Sequence, residues 1–573
     1  MSTTITIDRA FIAGVERVAA WAALLDEINV FPIADGDTGR NLMASLTPLR
    51  LLDADRDKAV HSLLFAARGN SGNIAARFFS GLLSADSIGA LDGAAREGRD
   101  QAWKAVHDPK PGTMLTVFDS LVEAFEAHPF DGSGGWKDRI LDRLEEAVRS
   151  TPDLLPKLKE AGVVDAGALG MFLYFEGFLN ALVGAEQFRS IWTIFKGRLS
   201  ILPSFSQERE SGYCVDTVLR VDDYTEEKAR EIAGAGESVV VLRDRDYVKL
   251  HLHTSDRTAA RRRLESVGNI LRWADDDLES QVSQQTRARS GQAVHVMTDA
   301  AGSVTREDAR ALGMTLLNSY VTVGDRSLPE TYLAPDELYD AMRRGVRAST
   351  SQASEFERHQ YYERVLLMYP RVLYLCVGSA FTGNFDVAKK WKERNDREGR
   401  FEVIDTGAAS GRLGLIAIAT ARYALETNDA AAVADFARRA VARCEECIFL
   451  DRLHYLAAGG RLSKTSAFFG DMLRMKPIVT PLPEGVKKLG LARNSSEQID
   501  FMVERLQTSL EKGSRPLFMI EFSDNREWVS ETVGGRVREM YPLAEIILQP
   551  VSLTSGVHMG PGTWAIAYLP ERI

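Results

Sequence analysis

The chain has 573 residues, with 70 Lys and Arg against 80 Asp and Glu, and 45% of it is hydrophobic. That length suggests three or four domains of ~100–200 residues each. The net charge of −10 argues against a broad nucleic-acid-binding face, and 26% charged residues beside normal apolar content exclude wholesale disorder. Four cysteines are too few for a secreted disulfide framework and point to a reducing cytosol.

The first residues, MSTTITIDRAFIAGVERVAAW, lack the basic and apolar regions of a signal peptide. Residues 1 to about 195 read as nearly all helix, with apolar-periodic stretches at Phe11–Val30, Leu115–Ala127, Trp136–Val148 and Met171–Val183. Ala166–Ala185 has the length of a membrane span. Glu176, Asn180 and four glycines within it fit better a helix buried on all sides in a soluble bundle. After Pro203 the texture changes. Tyr213–Arg220, Ser238–Leu242 and Tyr247–His253 read as strands, with a helix at Glu226–Ile232 and another from Ser255, as N-cap, to Leu264. Ser280–Gly291 has the composition of a linker. From Ala293 strands alternate with helices: AVHVMTD, RVLYLCVGS, FEVIDT, ECIFLDR, PLFMIEFS and AEIILQPVS are the strands. That alternation predicts an α/β domain with a largely parallel sheet and ligands beyond its carboxyl ends. Three domains follow: all-α over 1–198, a small α+β middle domain over 199–285, and α/β over 292–573.

In NVFPIADGDTGRNL, Asp35 and Asp37 are separated by one glycine between two helices. Two carboxylates so close repel unless a cation neutralises them, and hard oxygen ligands suit Mg²⁺. Gly36 and Gly39 permit a tight turn, and Thr38 and Asn41 can bond phosphate oxygens. A plain helix-capping turn uses the same residue types. ARGNSGN with Ser71, PGTMLTV and GVVDAGALG with Asp165 also place small residues at helix starts, where free N–H groups bind anions. Repeated within one helical domain, such loops suggest a nucleotide cradled by helix N-termini.

Together INVFPIADGDTGRNL, FAARGNSGN, PGTMLTV and AGVVDAGALG resemble the nucleotide-binding (DhaL-like) domain of the dihydroxyacetone kinase family, in the version found in the bacterial fatty acid kinase. The resemblance implies an all-α barrel-like bundle binding ATP with two Mg²⁺. Asp35 and Asp37 become metal ligands, with Asn29 a weaker one. Thr38, Asn41, Ser71, Gly72 and Thr113 line the nucleotide, joined by Asp165 and Gly167. Ala34, Arg40 and Ala168 depart from the family pattern without removing a ligand.

His251 and His253 lie i, i+2 on a strand and face one side. With Cys214 they can form a Cys-His-His site of the kind Zn²⁺ accepts, or they are ordinary strand histidines beside a buried thiol. GYCVDTVLRV with DYVKLHLHTSD resembles the middle domain of the fatty acid kinase, which implies zinc at these three residues. Cys444 and Cys447, a lone CEEC, read as structural.

In the last domain, polar loops follow strands at MTDAAGS, ASTSQAS, GSAFTGN, HYLAAGGRLSK and SGVHMGPG. Hydroxyls, a histidine and an arginine there can bind a carboxylate or phosphate, though each taken singly is only a loop. Together they resemble the DegV family of fatty-acid-binding proteins over residues 292–573. The resemblance implies an apolar tunnel for one acyl chain, whose carboxylate meets Thr350, Ser351 and Ser379 with His558 close by, and Arg461 at the kinase-facing edge.

The expected activity is ATP-dependent phosphorylation of the bound fatty acid carboxylate to an acyl phosphate, by Asp35, Asp37 and Arg461. Partners are the fatty acid, no nucleic acid, a transient membrane or acyl-transfer partner, and a second copy in a homodimer. The short linker allows transfer within one chain or between protomers. Two alternatives stand: a kinase for a small dihydroxyacetone-like hydroxyl substrate, and a non-catalytic lipid-binding or sensing protein.

Overall fold

The computed structural model describes residues 7–52, 56–205, 212–277, 294–324, 326–458 and 475–571. The chain divides into two compact units, Met1–Gln285 and Thr286–Ile573. The Ser280–Gly291 linker and Arg461 lie outside the described residues.

The first unit begins with a helical bundle: α1 (Ile7–Glu27), α2 (Thr38–Leu46), α3 (Arg56–Ala66), α4 (Gly69–Leu82), α5 (Leu91–Ala105), α6 (Met114–Ala127), α7 (Gly134–Leu154), α8 (Pro156–Ala161), α9 (Ala166–Val183) and the single turn α10 (Ile191–Ile194). The apolar helix α9 packs along α1, and 89% of it is buried inside the protein. Its acidic residue explains the arrangement. Glu176 accepts from Arg17 Nη2 at 2.7 Å and from Nε at 3.0 Å, both side chains almost fully buried, and takes the Arg189 N–H at 2.6 Å on its other oxygen. The Arg17 guanidinium also lies over the Phe188 ring. A buried charge so satisfied marks a protein interior and selects α1 as the neighbour of α9.

The same unit continues as an antiparallel sheet of β1 (Tyr213–Arg220), β2 (Glu237–Asp244), β3 (Tyr247–Thr254) and β4 (Asn269–Asp277) in the order β2-β3-β1-β4, with α11 (Glu226–Ala233) and α12 (Arg257–Val267). Alternation along β3 sorts its side chains. Val248, Leu250 and Leu252 enter the apolar core with Val215, Ile232 and Leu264, while Lys249, His251 and His253 occupy the opposite face. The N-cap of α12 is Asp256, not Ser255: its carboxylate accepts from the N–H groups of Thr258 and Ala259, a stronger interaction than a serine hydroxyl supplies. β4 escapes sequence reading because Asp275, Asp276 and Asp277 break its apolar pattern.

The second unit departs from the expected single, largely parallel sheet. β5 (His295–Asp299), β6 (Thr315–Leu317), β10 (Val372–Cys376) and β11 (Phe401–Asp405) form a parallel sheet in the order β11-β10-β5-β6. A separate sheet takes β12 (Glu445–Phe449), β13 (Lys476–Leu482), β14 (Gly485–Ala492), β15 (Leu517–Phe522), β16 (Glu545–Pro550) and β17 (Trp564–Leu569) in the order β14-β13-β12-β17-β15-β16. Within it only β15 and β16 pair parallel. A small antiparallel sheet joins β7 (Tyr320–Val323), β8 (Arg326–Pro329) and β9 (Ala348–Ser351) in the order β8-β7-β9. Pro477 and Pro481 hide β13 from a propensity reading, because proline cannot donate to a ladder. The all-apolar run of β17 is as compatible with a buried helix segment as with a strand. All four cysteines are buried and none forms a disulfide. Burial pushes the Cys447 thiol up to about 12, which suits an inert core residue.

Candidate functional site

The acidic loop is held from three directions. α1 supplies Asp26, whose Oδ1 accepts the N–H groups of Gly39 at 2.8 Å and Arg40 at 3.1 Å, so the start of α2 is capped from outside its own loop. Arg40 returns to the loop, with Nε 3.2 Å from Asp26 Oδ2 and Nη2 donating to the Gly36 carbonyl at 2.7 Å. α8 sends Lys157 Nζ to the Pro32 carbonyl at 2.7 Å. The approach of α1 and α2 needs glycine at 39, where an added Cβ would stand 1.9 Å from the Ala22 carbonyl oxygen.

With capping done by Asp26, Asp37 occupies the N-cap position without a side-chain capping bond and lines a cavity instead. Asp35 lines the same cavity and accepts from Asn29 Nδ2 at 2.6 Å. Burial first, and the Asp37 charge second, push the Asp35 carboxyl well above its usual range. This pair of oxygen donors, with Asn29 beside it, fits a hard divalent cation.

The cavity has a volume of about 460 Å³ and brings together Thr38, Ser71, Thr113, Asp165 and Gly167. Thr113 caps α6, its Oγ1 accepting from Leu115 N at 3.4 Å and donating to the Lys110 carbonyl at 3.0 Å. Asp165 caps α9, accepting from Ala168 N at 2.7 Å, and burial raises its carboxyl to about 7. Asn41 and Gly72 do not line the cavity. Gly72 sits where α2 and α4 meet, against Ser45, and Asn41 stands beside Gly69. Gly69 opens α4 at φ +60°, and a Cβ there would lie 2.0 Å from Asn41 Nδ2, so both backbone and neighbour require glycine.

One wall of the cavity comes from the sheet. Residues 106–108 run along the edge strand β2, with a bridge between Val106 and Val240 and the His107 N–H on the Val239 carbonyl at 3.1 Å. Residues 236–240, His251 and His253 complete the lining. No local pattern in the sequence announces this wall, because strand pairing between residues 106 and 240 is a long-range event.

Cys214, His251 and His253 cluster with their ligand atoms within 4.8 Å of one another. His251 Nε2 is 3.8 Å from Cys214 Sγ and 3.2 Å from His253 Nε2, and all three residues are buried. Burial, then the neighbouring His251, depress His253 to about 3, leaving it neutral as a ligand must be. The donor set of one thiol and two imidazoles fits Zn²⁺. Cys214 packs on Ile33, next to the acidic loop. Two further carboxylates, Asp26 and Asp216, belong to this region and were not singled out from the sequence. Asp216 had a legible signal, its i+2 spacing from Cys214 on one strand face.

In the second unit, Thr350 on β9 and His558 on the helix Leu553–Met559 meet, Oγ1 to Nε2, at 3.1 Å. Ser351 ends β9 and is exposed. Ser379 is exposed on the loop after β10, its N–H donating to Asp405 Oδ1 at 3.1 Å. Gly383, on that same loop, approaches Gln352. The Asp299 of MTDAAGS is taken up structurally: it accepts from Arg358, Asn384, Tyr374 and the Val377 N–H, tying the carboxyl ends of β5 and β10 together.

Comparison with known proteins divides the chain in three. Residues 32–180 match the DAK2 domain, 210–285 the FakA-like middle domain of fatty acid kinase, and 293–571 the uncharacterised DegV family. Protein YloV of Bacillus subtilis is 30% identical over 308 residues, covering 47% of this chain and 52% of its own. An uncharacterized protein of Staphylococcus saprophyticus is 32% identical over 276 residues, 42% of this chain and 49% of its own. The chain thus spans about half the length of the curated relatives it matches. Among solved structures, a fatty-acid-binding DegV-family protein of Thermus thermophilus is 22% identical, covers 48% of this chain and 99% of its own, and has a TM-score of 0.45. DegV of Bacillus subtilis, described as a fatty acid binding protein, is 20% identical over 49% of this chain and 100% of its own, at a TM-score of 0.45.

Proposed function

Since the chain joins a DAK2 domain, a FakA-like middle domain and a DegV-family domain in one polypeptide, we propose that it phosphorylates a fatty acid carboxylate with ATP, yielding an acyl phosphate and ADP. The observation that carries this reading is the cavity where Asp35, Asp37 and the starts of α2, α4, α6 and α9 converge. Its volume falls in the usual range for a bound small molecule. N–H groups at helix starts suit phosphates, and Thr38, Ser71 and Thr113 add hydroxyl donors.

A carboxylate is ionised at neutral pH and is already a nucleophile, so the reaction asks for no strong general base. One of its oxygens attacks the γ-phosphorus as the bond to the ADP oxygen breaks. The protein's task is to position the reactants and to neutralise charge. Asp35 and Asp37, with Asn29 supporting, would hold Mg²⁺, which would neutralise charge on the phosphates. The Cys214, His251 and His253 cluster is assigned to Zn²⁺. In the DegV-family unit, Thr350, Ser351, Ser379 and His558 are assigned to the carboxylate, and Arg461 to the transferring phosphoryl group. That no disulfide joins the four cysteines supports a cytoplasmic setting.

The test is incubation of the purified chain with Mg·ATP and fatty acids of several chain lengths, with hydroxylamine trapping of acyl phosphate. A hydroxamate that depends on both ATP and lipid is expected. Its absence across chain lengths, with nucleotide and lipid both bound, would overturn the assignment in favour of a lipid-binding or sensing role. Turnover of dihydroxyacetone instead of fatty acid would move it to the small-hydroxyl kinases.

A further inference from the structure

Asp216 stands between the Cys-His-His cluster and the start of α4. The β1–β3 register sets it directly opposite His251, with its Oδ1 3.4 Å from His251 Nδ1. Its Oδ2 accepts the Gly69 N–H at 3.3 Å, and Asn73 Nδ2 lies 3.5 Å from Oδ1 while donating to the Gly69 carbonyl at 2.7 Å. Two residues along the same face as His251, Lys249 Nζ donates to the Ala67 carbonyl, just before that turn. The β3 face that carries the histidines is therefore fastened to the turn that carries Gly69, Asn70 and Ser71 into the cavity.

A histidine that donates Nδ1–H to a carboxylate presents the Nε2 lone pair, and Nε2 is the atom that faces His253 at 3.2 Å, while Cys214 Sγ lies 3.8 Å from Nε2 and 3.9 Å from Nδ1. One carboxylate thus selects the ligating tautomer of His251 and holds a helix-start N–H of α4.

We infer that Asp216 is a positioning residue that couples metal occupancy of the Cys214–His251–His253 cluster to the Gly69–Ser71 turn, so that a zinc-class ion and nucleotide bind with reciprocal positive coupling. The inference rests on reading the cavity as the nucleotide site. Simple attraction between a dication and phosphates would also couple the two ligands, but that attraction does not pass through Asp216. Asp216→Asn separates the two accounts, since the amide keeps the size and the acceptor for Gly69 while losing the charge that orients His251.

The experiment uses the full chain and Co²⁺ as a spectroscopic stand-in, with Mg·AMP-PNP as the nucleotide probe. In the wild type, Co²⁺ should tighten AMP-PNP at least ~5-fold, and AMP-PNP should tighten Co²⁺ by the same factor. Asp216→Asn should keep the thiolate-to-cobalt absorption, bind Co²⁺ ~10–100-fold more weakly, and bring the coupling factor close to one. Unchanged Co²⁺ affinity in the variant, or wild-type nucleotide affinity indifferent to metal, overturns the inference. The wild-type measurement needs no variant, and an absence of coupling there overturns the inference even if Asp216→Asn fails to fold. AMP-PNP that binds under no metal condition strikes the nucleotide reading instead, and the Co²⁺ titration of the variant still decides whether Asp216 orients the cluster.

Discussion

Asp37 is available for chemistry because Asp26 caps the helix that Asp37 precedes. Asp37→Ala should therefore abolish phosphoryl transfer while leaving fatty acid bound, measured by hydroxamate trapping beside mass spectrometry of the co-purified lipid. Loss of the lipid as well would contradict the division of labour between the two units. Asp165 makes a pH-dependent prediction. Its carboxyl rises from 3.8 to about 7 on burial, so between about pH 4 and pH 7 the folded state holds a proton that the unfolded state has lost. Stability then falls as pH rises through that window and levels off above it. Asp165→Asn, which can still accept from Ala168, should gain nothing near pH 4 and up to roughly 4 kcal/mol above pH 7, from about 1.4 kcal/mol per pKa unit. Urea unfolding of both proteins at pH 4.5 and 8 checks this, and an equal gain at both values would refute the burial account. Residues of this kind were legible in part. DGD and HLH announce themselves because their partners are two positions away, whereas Asp26 acts across 13 residues on Gly39 and Asp216 across 147 on Gly69.

At the scale of elements, α9 shows how one charged residue resolves an ambiguous pattern. By length and hydropathy it passes for a membrane span, and Glu176 with its buried partner Arg17 makes it the central helix of a bundle. Glu176→Ala should destabilise the first unit by ~3–5 kcal/mol, because it removes the carboxylate that pairs with the buried Arg17 guanidinium. Thermal or denaturant unfolding measures it, and Glu176→Ala together with Arg17→Met should recover much of the loss. β3 was readable from its alternation, since one face meets an apolar core and the other a polar site, and β1 from its strand-like composition. β13 and β17 were not, because prolines and an unbroken apolar run erase the period-two signal.

At the scale of the whole molecule, the proposed function bears on kinetics: with the DAK2-matching and DegV-matching domains in one chain, transfer would be tethered rather than bimolecular, at an effective concentration on the mM scale if the linker spans the sites. Specific acyl phosphate production should then stay constant as the protein is diluted through the nanomolar range. A fall on dilution would indicate transfer between chains of a homodimer, and sedimentation at the same concentrations would show the dimer dissociating.

Short-range chemistry was determined by the sequence itself: the acidic loop, the glycine-bearing helix starts, the histidine pair and the succession of a helical domain, a small sheet and an α/β domain. These are read from neighbours within a few positions, where backbone period and residue type act directly. Tertiary structure alone decided which carboxylate caps α2, that a strand edge closes the cavity, that Asn41 and Gly72 stand behind it, and that the second unit holds a mostly antiparallel sheet beside its parallel one. Each of these depends on contacts between residues far apart in the chain, which local propensity cannot encode because they exist only once the elements have packed.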